Sequence, residues 1–504
     1  MASRKRGIEL DNKKEVFKNK KMGLFIKGEF VAAQENEWTE ITNPATGEVI
    51  AEVASGSSKD VDHAIAAAEL AFKAWRHMSV EMRSEHLLKI ADTITEHEAY
   101  IAYVETIDSG KPIVETIEDV RAIADQFKYF AGLIRAESGE FTKQSGQSLT
   151  MISREPLGVV GQIIPWNFPF LMAGWKLAPA LATGNCIVIK PAEITPLSIL
   201  TLADLIKDIL PKGVLNVVTG KGRVVGEYMV SHPKIRKIAF TGSTEVGMHI
   251  SRIASDSVIP LTMELGGKSA NIIFPDAPMA KAIEGATLAI LYGQGQVCNA
   301  GSRLFVHASI YKEVTEKLVD LFASVKVGDP LEDATRLGTL ISEKQLENVE
   351  KYIQIGLDEG ATLAYGGKRM TENNFARGHF MMPTLLTDVT NDMRVAREEI
   401  FGPVLVVIPF ETEEEVIAMA NDSEYGLAGA CWTKDIVKGL RVASAVDTGL
   451  FWINEYHLAP SGTPFGGYKK SGYGRENHRS ALSSYSQIKT VYISMSDEAT
   501  GWYV

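Results

Sequence analysis

Residues 158–190 read GVVGQIIPWNFPFLMAGWKLAPALATGNCIVIK, with two short apolar runs on either side of a helical pattern. The same alternation continues to about residue 266 through the apolar runs VLNVVTG, KIAFTGS and LTMELGG. Between these runs, helices are predicted from Pro196 to Ile209 and from Val224 to Met229. Short, wholly apolar strands between helices predict a parallel sheet that is covered by helices on both faces. The fold class is therefore α/β, with a doubly wound parallel sheet.

A second alternation of the same kind follows Gly266. It consists of SANIIF, a helix from Met279, SRLFVHA and a helix from Tyr311. The chain has 504 residues, and single hydrophobic cores stop growing at roughly 250–300 residues. We therefore expect two large domains, with a boundary near Gly266.

The part of the chain before residue 158 is predicted to hold hairpin strands from Met22 and then helices. Ser58 is expected to cap the first helix, and others are expected over 83–105 and 114–133. The segment GKPIVETIEDV is interpreted as a helix start rather than a site. Residues 139–152 and the C-terminal SSYSQIKTVYIS have β character. They form either a surface hairpin or strands that pair with another subunit.

The composition is that of an ordinary soluble globular protein, with 45% hydrophobic and 23% charged residues. A formal net charge of −11 argues against general nucleic-acid binding, which needs a basic surface. No apolar run is long enough for a membrane span, and the basic N-terminus lacks the apolar core of a secretory signal. The three cysteines are far apart, without zinc-ligand spacing, so we expect no metal and a reduced, cytoplasmic setting.

Cys298 lies in the glycine-rich segment YGQGQVCNAGSR, residues 292–303. Neither a strand nor a helix favours this composition, so the segment is predicted to be a loop. A loop that exposes a cysteine near backbone N–H groups lowers the pKa of the thiol and leaves room for a substrate carbon. Cys298 is therefore a candidate nucleophile. The alternative is a semi-buried structural cysteine in a turn.

Two glycine-containing turns are candidates for binding a dinucleotide. Gly220 and Gly222 are followed by Gly226, one residue too late for the GxGxxG fingerprint, so this motif is weak. FTGSTEVG, residues 240–247, is a better phosphate candidate because a strand ends there in a turn that enters a helix. The alternative for FTGSTEVG is an ordinary capped helix, in which Glu245 completes the first turn.

Lys190 and Glu193 follow the apolar run NCIVIK, at the edge where open α/β sheets bind ligands. A lysine there can hold a ribose hydroxyl, and a carboxylate can accept hydrogen bonds from two hydroxyls. The carboxylate would also repel a 2′-phosphate, which favours NAD over NADP. A solvated surface pair is the alternative interpretation.

Asn167 and Glu264 complete the set of chemically suggestive side chains. Asn167 stands in PWNFP, where aromatic residues and prolines would hold its amide rigidly, as an oxyanion donor requires. Glu264 ends an apolar strand against glycines, where partial burial would raise its pKa and make it a general base. Core filling by the neighbours of Asn167 and a capping role for Glu264 are the alternatives.

Eight motifs occur in one order: PWNFP, KPAE, FTGSTEVG, ELGGK, GQVCNAGSR, EEIFGPV, NDSEYGLAGA and PFGGYKKSGYGRE. Together they resemble the NAD(P)-dependent branch of the aldehyde dehydrogenase superfamily, over about residues 24–496. The resemblance implies an NAD-binding Rossmann-like domain over 22–136 and 155–265, and a catalytic domain over 266–475. It also implies a small β oligomerisation element over 137–154 and 476–504, after a basic tail of residues 1–21. A homo-oligomer, either a dimer or a homotetramer, is expected.

The resemblance also assigns roles to residues at matching positions. Cys298 would be the nucleophile and Glu264 the base, with Asn167 and the Cys298 backbone N–H as the oxyanion hole. Lys176 and Glu476 would form a proton path behind Glu264. The cofactor contacts would be Ile164, Pro165, Trp166, Lys190, Glu193, Gly242, Ser243, Leu265, Gly266, Glu399 and Phe401. The family lacks a standard GxGxxG motif, which accounts for the weak match at Gly220.

The expected reaction is NAD-dependent oxidation of an aldehyde to the acid, through a thiohemiacetal and a thioester on Cys298. The aldehyde tunnel would be lined by Phe168, Met172, Trp175, Tyr292, Val297, Tyr456, His457 and Phe465. Such a lining suits small aliphatic or aromatic aldehydes, and its aromatic walls also suit the trimethylammonium group of betaine aldehyde. A CoA-acylating enzyme is a further alternative, disfavoured because Glu264 is the base that hydrolysis needs.

Overall fold

The computed structural model describes residues 20–503, so nearly all of the predicted basic tail lies outside the described residues. The fold is mixed α/β. The strands, β1 to β23 in chain order, are Lys20–Met22, Leu24–Ile26, Glu29–Val31, Trp38–Thr42, Val49–Ala54, Glu140–Ser145, Ser148–Pro156, Val159–Ile163, Cys186–Lys190, Leu215–Val217, Ile235–Thr241, Leu261–Glu264, Ala270–Ile273, Arg303–His307, Thr362–Tyr365, Thr384–Thr387, Val404–Phe410, Tyr425–Gly426, Ala428–Trp432, Leu450–Ile453, Tyr468–Lys469, Gly472–Tyr473 and Ser486–Ser494.

The helices, α1 to α15 in chain order, are Ser58–Trp75, Val80–Glu96, Glu98–Ser109, Ile113–Ala136, Pro169–Ala182, Leu197–Ile206, Glu227–Ser231, Thr244–Ser255, Met279–Leu291, Tyr311–Ser324, Glu343–Asp358, Arg394–Arg397, Glu413–Asn421, Ile436–Ala445 and Ser480–Ser484. Single turns of other helical types occur at Gly222–Gly226, Tyr292–Gly295, Ala308–Ile310 and Asn373–Phe375.

The first large sheet has the strand order β22-β12-β11-β8-β9-β10-β2-β3, and its five central strands are parallel. Strands β8 and β9 are almost entirely buried, because helices pack on both faces. Chain order reverses between β8 and β11, which makes a switch point at which a crevice opens beyond the carboxyl ends of the strands. The predicted doubly wound sheet is confirmed.

The second large sheet has the order β15-β16-β17-β14-β13-β19-β20 and is parallel except for the edge strand β15. Its core is apolar, with Phe305, Val404 and Val406 wholly buried. Strand β22, which sequence analysis assigns to the catalytic domain, instead pairs antiparallel with β12 of the first sheet. The exact domain boundaries stay a prediction.

A third sheet, of order β23-β7-β6, joins residues from both ends of the predicted oligomerisation element. Strand β6 is exposed along its whole length. Large apolar side chains on this sheet face outward, among them Phe141, Ile488 and Tyr492, each more than 60% exposed. The extended segments predicted at 139–152 and near the C-terminus are therefore strands of one small sheet.

Some local predictions differ from the structure. The helix expected over 83–105 is two helices, because α2 ends at Glu96 and α3 begins at Glu98, with His97 between them outside the helical backbone angles. The first cap is Ser57 rather than Ser58, since the Ser57 backbone N–H donates to Asp60 Oδ2 at 2.8 Å. The helix expected over 224–229 is a π-turn followed by the short α7.

Over residues 20–503, no helix is long and apolar enough to cross a membrane. Within the same residues, no group of three or more His, Cys, Asp or Glu side chains is placed to hold a metal ion. The three cysteines are all free, with Cys186 and Cys431 buried and Cys298 half-buried. Cys298 is thus the most accessible thiol of the three.

Candidate active site

The predicted cofactor residues follow the carboxyl ends of the parallel strands of the first sheet. Ile164, Pro165 and Trp166 follow β8, and Lys190 is the last residue of β9. Gly242 and Ser243 follow β11, while Leu265 and Gly266 follow Glu264, the last residue of β12. The register pairs Ile163 with Lys190 and Thr241 with Glu264, so all four ends lie at one edge. The switch point between β8 and β11 therefore opens among these residues.

Lys190 and Glu193 lie against the π-turn Gly222–Gly226. The Lys190 ammonium is buried and donates to the Pro191 carbonyl at 3.0 Å, and burial lowers its pKa to about 8. Glu193 is exposed, and its Oε1 accepts the Gly222 N–H at 2.5 Å. A β-carbon on Gly226 would lie 3.6 Å from the Lys190 side chain. The turn containing Gly222 and Gly226 is a weak motif in the sequence, but in the structure it lies next to the predicted cofactor residues Lys190 and Glu193.

Ser243 is the N-cap of α8. Its hydroxyl accepts the Val246 N–H at 3.4 Å, and the free N–H groups of the first turn face the crevice edge. The Gly242 N–H donates to the Glu264 carbonyl at 3.1 Å, which ties the turn to β12. Ser243 itself is exposed. This turn can accept an anionic group at the helix N-terminus.

Glu399 and Phe401 come from the second sheet, just before β17. Glu399 Oε1 accepts the Gly267 N–H at 3.1 Å, and burial raises the pKa of this carboxyl to about 7. Phe401 has left-handed backbone angles, with φ at 60°, and its ring meets Trp166 edge to face at 5.3 Å. The amino edge of the second sheet thereby closes the cleft opposite the carboxyl edge of the first.

Cys298 lies in the loop between α9 and β14, after a turn with left-handed Gly293 and Gln294. Burial raises the pKa of the Cys298 thiol to about 12, and the charges of Glu264 and Glu399 raise it further. The N–H groups of Asn299 and Cys298 act in the opposite direction. The sequence-based expectation of a lowered pKa is therefore wrong for this structure, because enclosure by protein outweighs the N–H dipoles.

Asn167 lies beside the same loop. Its side-chain Nδ2 donates to the Gln296 carbonyl at 2.7 Å, two residues before Cys298. An amide nitrogen has two N–H donors. One of them holds the amide against the loop, and the other is not used by this bond.

Glu264 is almost fully buried, and neither carboxyl oxygen has a hydrogen-bond partner among residues 20–503. Burial raises the pKa of Glu264 well above its usual range, and the charge of Glu476 raises it further. Behind it, the Lys176 ammonium and Glu476 Oε1 form a buried ion pair at 2.7 Å. A carboxyl group of this kind is a stronger base than an ordinary glutamate once it has ionised.

The predicted aldehyde-tunnel residues form two groups of aromatic contacts. Phe168 stacks on Tyr292 at 6.1 Å, and Tyr292 meets His457 at 5.3 Å. Trp175 and Phe465 meet at 5.0 Å. The remaining members of the set, all less than a tenth exposed, are Met172, Val297 and Tyr456.

Tyr456 and His457 are also tied to the chain around them. The Tyr456 hydroxyl donates to the Asn299 carbonyl at 2.9 Å, directly after Cys298. Burial lowers the pKa of His457 to about 4, so this side chain is neutral at pH 7. The eight residues of the predicted tunnel are therefore uncharged at this pH.

Comparisons with known proteins identify the family to which the chain is similar. The profile of the aldehyde dehydrogenase family matches residues 30–491. An acetaldehyde dehydrogenase from Pseudomonas aeruginosa is 47% identical over 489 residues, covering 95% of this chain and 96% of that protein. A betaine aldehyde dehydrogenase from Staphylococcus aureus, solved with NAD+, has a TM-score of 0.96 at 40% identity and covers 98% of this chain and 99% of its own. The NAD+ complex of a Bacillus cereus aldehyde dehydrogenase has a TM-score of 0.93 at 45% identity, over 96% and 98% of the two chains.

The substitution Gly266→Ala tests the closure of the cleft. A β-carbon there would lie 2.4 Å from Glu399 Oε2 and would displace that carboxylate. We expect the Kd for NAD+, measured by fluorescence titration, to rise about tenfold or more, as for loss of one well-placed charged hydrogen bond. Gly132→Ala is the matched control, since nothing lies within 4 Å of its β-carbon position. An unchanged Kd in Gly266→Ala would contradict the placement of Glu399.

Proposed function

The chain belongs to the aldehyde dehydrogenase family, and we propose that Cys298 is its nucleophile and Glu264 its general base. The protein is an oxidoreductase that oxidises aldehydes with NAD+. One observation carries the assignment of the two residues: a buried carboxyl group without a hydrogen-bond partner lies near the half-buried thiol of the catalytic loop. A buried, unpaired carboxyl is costly to a fold, and chemistry at this position accounts for it.

The half-buried Cys298 thiol first releases its proton to solvent. The sulfur then forms a bond to the aldehyde carbon, and the carbonyl oxygen becomes an alkoxide. The free N–H of the Asn167 amide and the backbone N–H of Cys298 stabilise that charge, and loss of one such donor costs about 10²–10³ in rate. When bound in the cleft, the nicotinamide ring accepts a hydride from this carbon. Glu264 then removes a proton from a water molecule that attacks the thioester, which releases the acid and the Cys298 thiolate.

The Lys176–Glu476 pair supplies a route for the proton that Glu264 has taken up. Its two charges are fully buried at 2.7 Å from each other, and Glu476 is among the charges that act on Glu264. The second oxygen of Glu476 has no partner among the described residues. We propose that this pair returns Glu264 to its ionised form after each turnover.

Lys190, Glu193, Ser243 and Glu399 are the proposed cofactor contacts. Lys190 and Glu193 would hold the adenosine ribose, and Glu399 the nicotinamide ribose. The N-terminal turn of α8 at Ser243 would hold the pyrophosphate. The exposed carboxylate of Glu193 is the reason to propose NAD over NADP, because it would lie next to a 2′-phosphate of the same charge.

Small aliphatic or aromatic aldehydes are the proposed substrates, on the basis of the buried aromatic lining. Betaine aldehyde is the second candidate, because the cluster of Phe168, Tyr292 and His457 offers ring faces to a trimethylammonium group. The Staphylococcus aureus relative is itself a betaine aldehyde dehydrogenase. Transfer of the acyl group to CoA is the less favoured alternative, since Glu264 is the proposed base for hydrolysis.

A panel of aldehydes tests the proposed function. NADH formation is measured with acetaldehyde, benzaldehyde, betaine aldehyde and 3,3-dimethylbutanal, the uncharged analogue of betaine aldehyde. We expect turnover of the uncharged aldehydes, a lower kcat/KM with NADP+ than with NAD+, and no acyl-CoA when CoA is added. A preference for betaine aldehyde over its uncharged analogue would favour the second candidate. Absence of NADH with every aldehyde would refute the assignment.

We also propose that the protein is a homo-oligomer, a dimer or a tetramer, assembled through the β6-β7-β23 sheet. The support is its outward apolar side chains and the unpaired edge of β6. Light scattering should give a mass at least twice that of the chain. Ile488→Asp, at a side chain 61% exposed, should reduce that mass, while the control Leu70→Asp, 60% exposed on α1, should not. A monomeric wild-type protein would contradict this proposal.

A cytoplasmic location is proposed from the cysteines. Their number is odd, and none is paired. A nucleophilic thiol also needs a reducing environment to stay active. Recovery of the activity in the soluble cytoplasmic fraction would support this location, and recovery outside the cell would contradict it.

A further inference from the structure

Lys111 lies between α3 and α4, in the segment that sequence analysis interprets only as a helix start. Its side chain is only 2% exposed, and its ammonium forms an ion pair with Asp119, which is equally buried. The same ammonium lies 3.6 Å from the centre of the Phe168 ring and 6.0 Å from that of Tyr292. Both distances are within the range of a cation–π contact. A buried charge therefore stands directly against the aromatic wall of the aldehyde site.

The Lys111–Asp119 ion pair lies against two rings of the predicted aldehyde site, Phe168 and Tyr292. Lys111 lies over the Phe168 ring. Burial raises the pKa of the Tyr292 hydroxyl well above its usual range, and the charge of the adjacent Asp119 raises it further. Phe168 and Tyr292 are themselves stacked, with 22° between their planes. One lysine and one aspartate thus hold both members of the stacked pair.

Glu115, one turn before Asp119 on α4, holds the start of the catalytic loop. Its Oε2 accepts the Gly293 N–H at 3.0 Å, next to Tyr292. On the other side of Glu115 and Tyr292 lies a cavity of about 560 Å³, which both residues line. Close packing does not support the tyrosine on that side. Polar contacts made from α4 and Lys111 therefore help to position Tyr292, in addition to its ring contacts with Phe168 and His457.

We propose that Lys111 is a positioning residue for the aldehyde site, which holds Phe168 directly and Tyr292 through Asp119. The role rests on the proposed function, in which these two rings line the path to Cys298. Lys111 touches neither the sulfur nor the predicted cofactor contacts. Its loss should therefore alter the fit of bulky aldehydes far more than the chemistry itself.

The variants are chosen so that a buried unpaired charge does not confuse the result. Lys111→Met alone leaves Asp119 without its partner, which is costly in the interior. The double variant Lys111→Met/Asp119→Asn removes both charges and keeps the side-chain volumes. Lys111→Arg keeps the cation. Asp108→Asn is the control. Asp108 is also a buried carboxyl group, but it accepts the Leu197 N–H instead of contacting Phe168 or Tyr292.

The measurement is the ratio of kcat/KM for benzaldehyde to that for acetaldehyde, which does not depend on the fraction of active enzyme. We expect this ratio to fall about tenfold or more in both Met variants, as a misfitted pocket contact typically costs. It should recover at least partly in Lys111→Arg and stay at the wild-type value in Asp108→Asn. The Kd for NAD+ should not change. A wild-type ratio in the folded double variant would overturn the proposal.

A second measurement separates this proposal from the proposed function. The rates at which iodoacetamide and its N-benzyl derivative alkylate Cys298 are compared, which requires no aldehyde oxidation. The ratio of the N-benzyl rate to the iodoacetamide rate should change in the double variant by a similar factor and stay unchanged in Asp108→Asn. If the wild-type protein oxidises no aldehyde, this ratio still decides the role of Lys111, and an unchanged value overturns it.

Discussion

Three segments of the chain approach one another within van der Waals distance just after β12, and the site depends on that approach. A β-carbon on Gly267 would lie 2.4 Å from the Cys298 carbonyl oxygen, and one on Gly266 would lie 2.4 Å from Glu399 Oε2. Only glycine leaves this space, since real β-carbons do not approach other atoms so closely. The two glycines therefore let the carboxyl edge of one sheet meet the amino edge of the other.

This close approach buries the ionisable groups of the cleft and thereby shifts their pKa values. Burial raises the pKa of Glu264, of Glu399 and of the Cys298 thiol, because each would lose water on ionising. The same burial that keeps the thiol protonated makes Glu264 a stronger base. The buried Lys176–Glu476 pair lies behind that base, where its charges are little screened. A proton held among these groups would thus be shielded from solvent.

The sequence predicted the alternation of strands and helices well, and it placed the predicted cofactor residues after strands that end at one sheet edge, since both follow local patterns. Apolar runs between helices indicate parallel strands, and polar residues at their carboxyl ends then fall at one edge. The pKa of Cys298 and the role of Lys111 were not predictable in this way. Both depend on side chains that are distant in sequence, such as Glu399 near the thiol and Phe168 over the ammonium. The proximity of Gly222 and Gly226 to the predicted cofactor residues was missed for the same reason, because Gly222 contacts Glu193 and Gly226 lies beside Lys190 only in the folded chain.

Mass spectrometry of the Cys298 peptide shows whether Cys298 carries the acyl group and whether Glu264 removes it by activating water. The variant Glu264→Gln is incubated with acetaldehyde and NAD+, digested, and the peptide that contains Cys298 is weighed. We expect an acetyl group on Cys298 that persists in Glu264→Gln and is absent from the wild-type protein at the same time. An unmodified Cys298 in the variant, or an acetyl group on another residue, would contradict it.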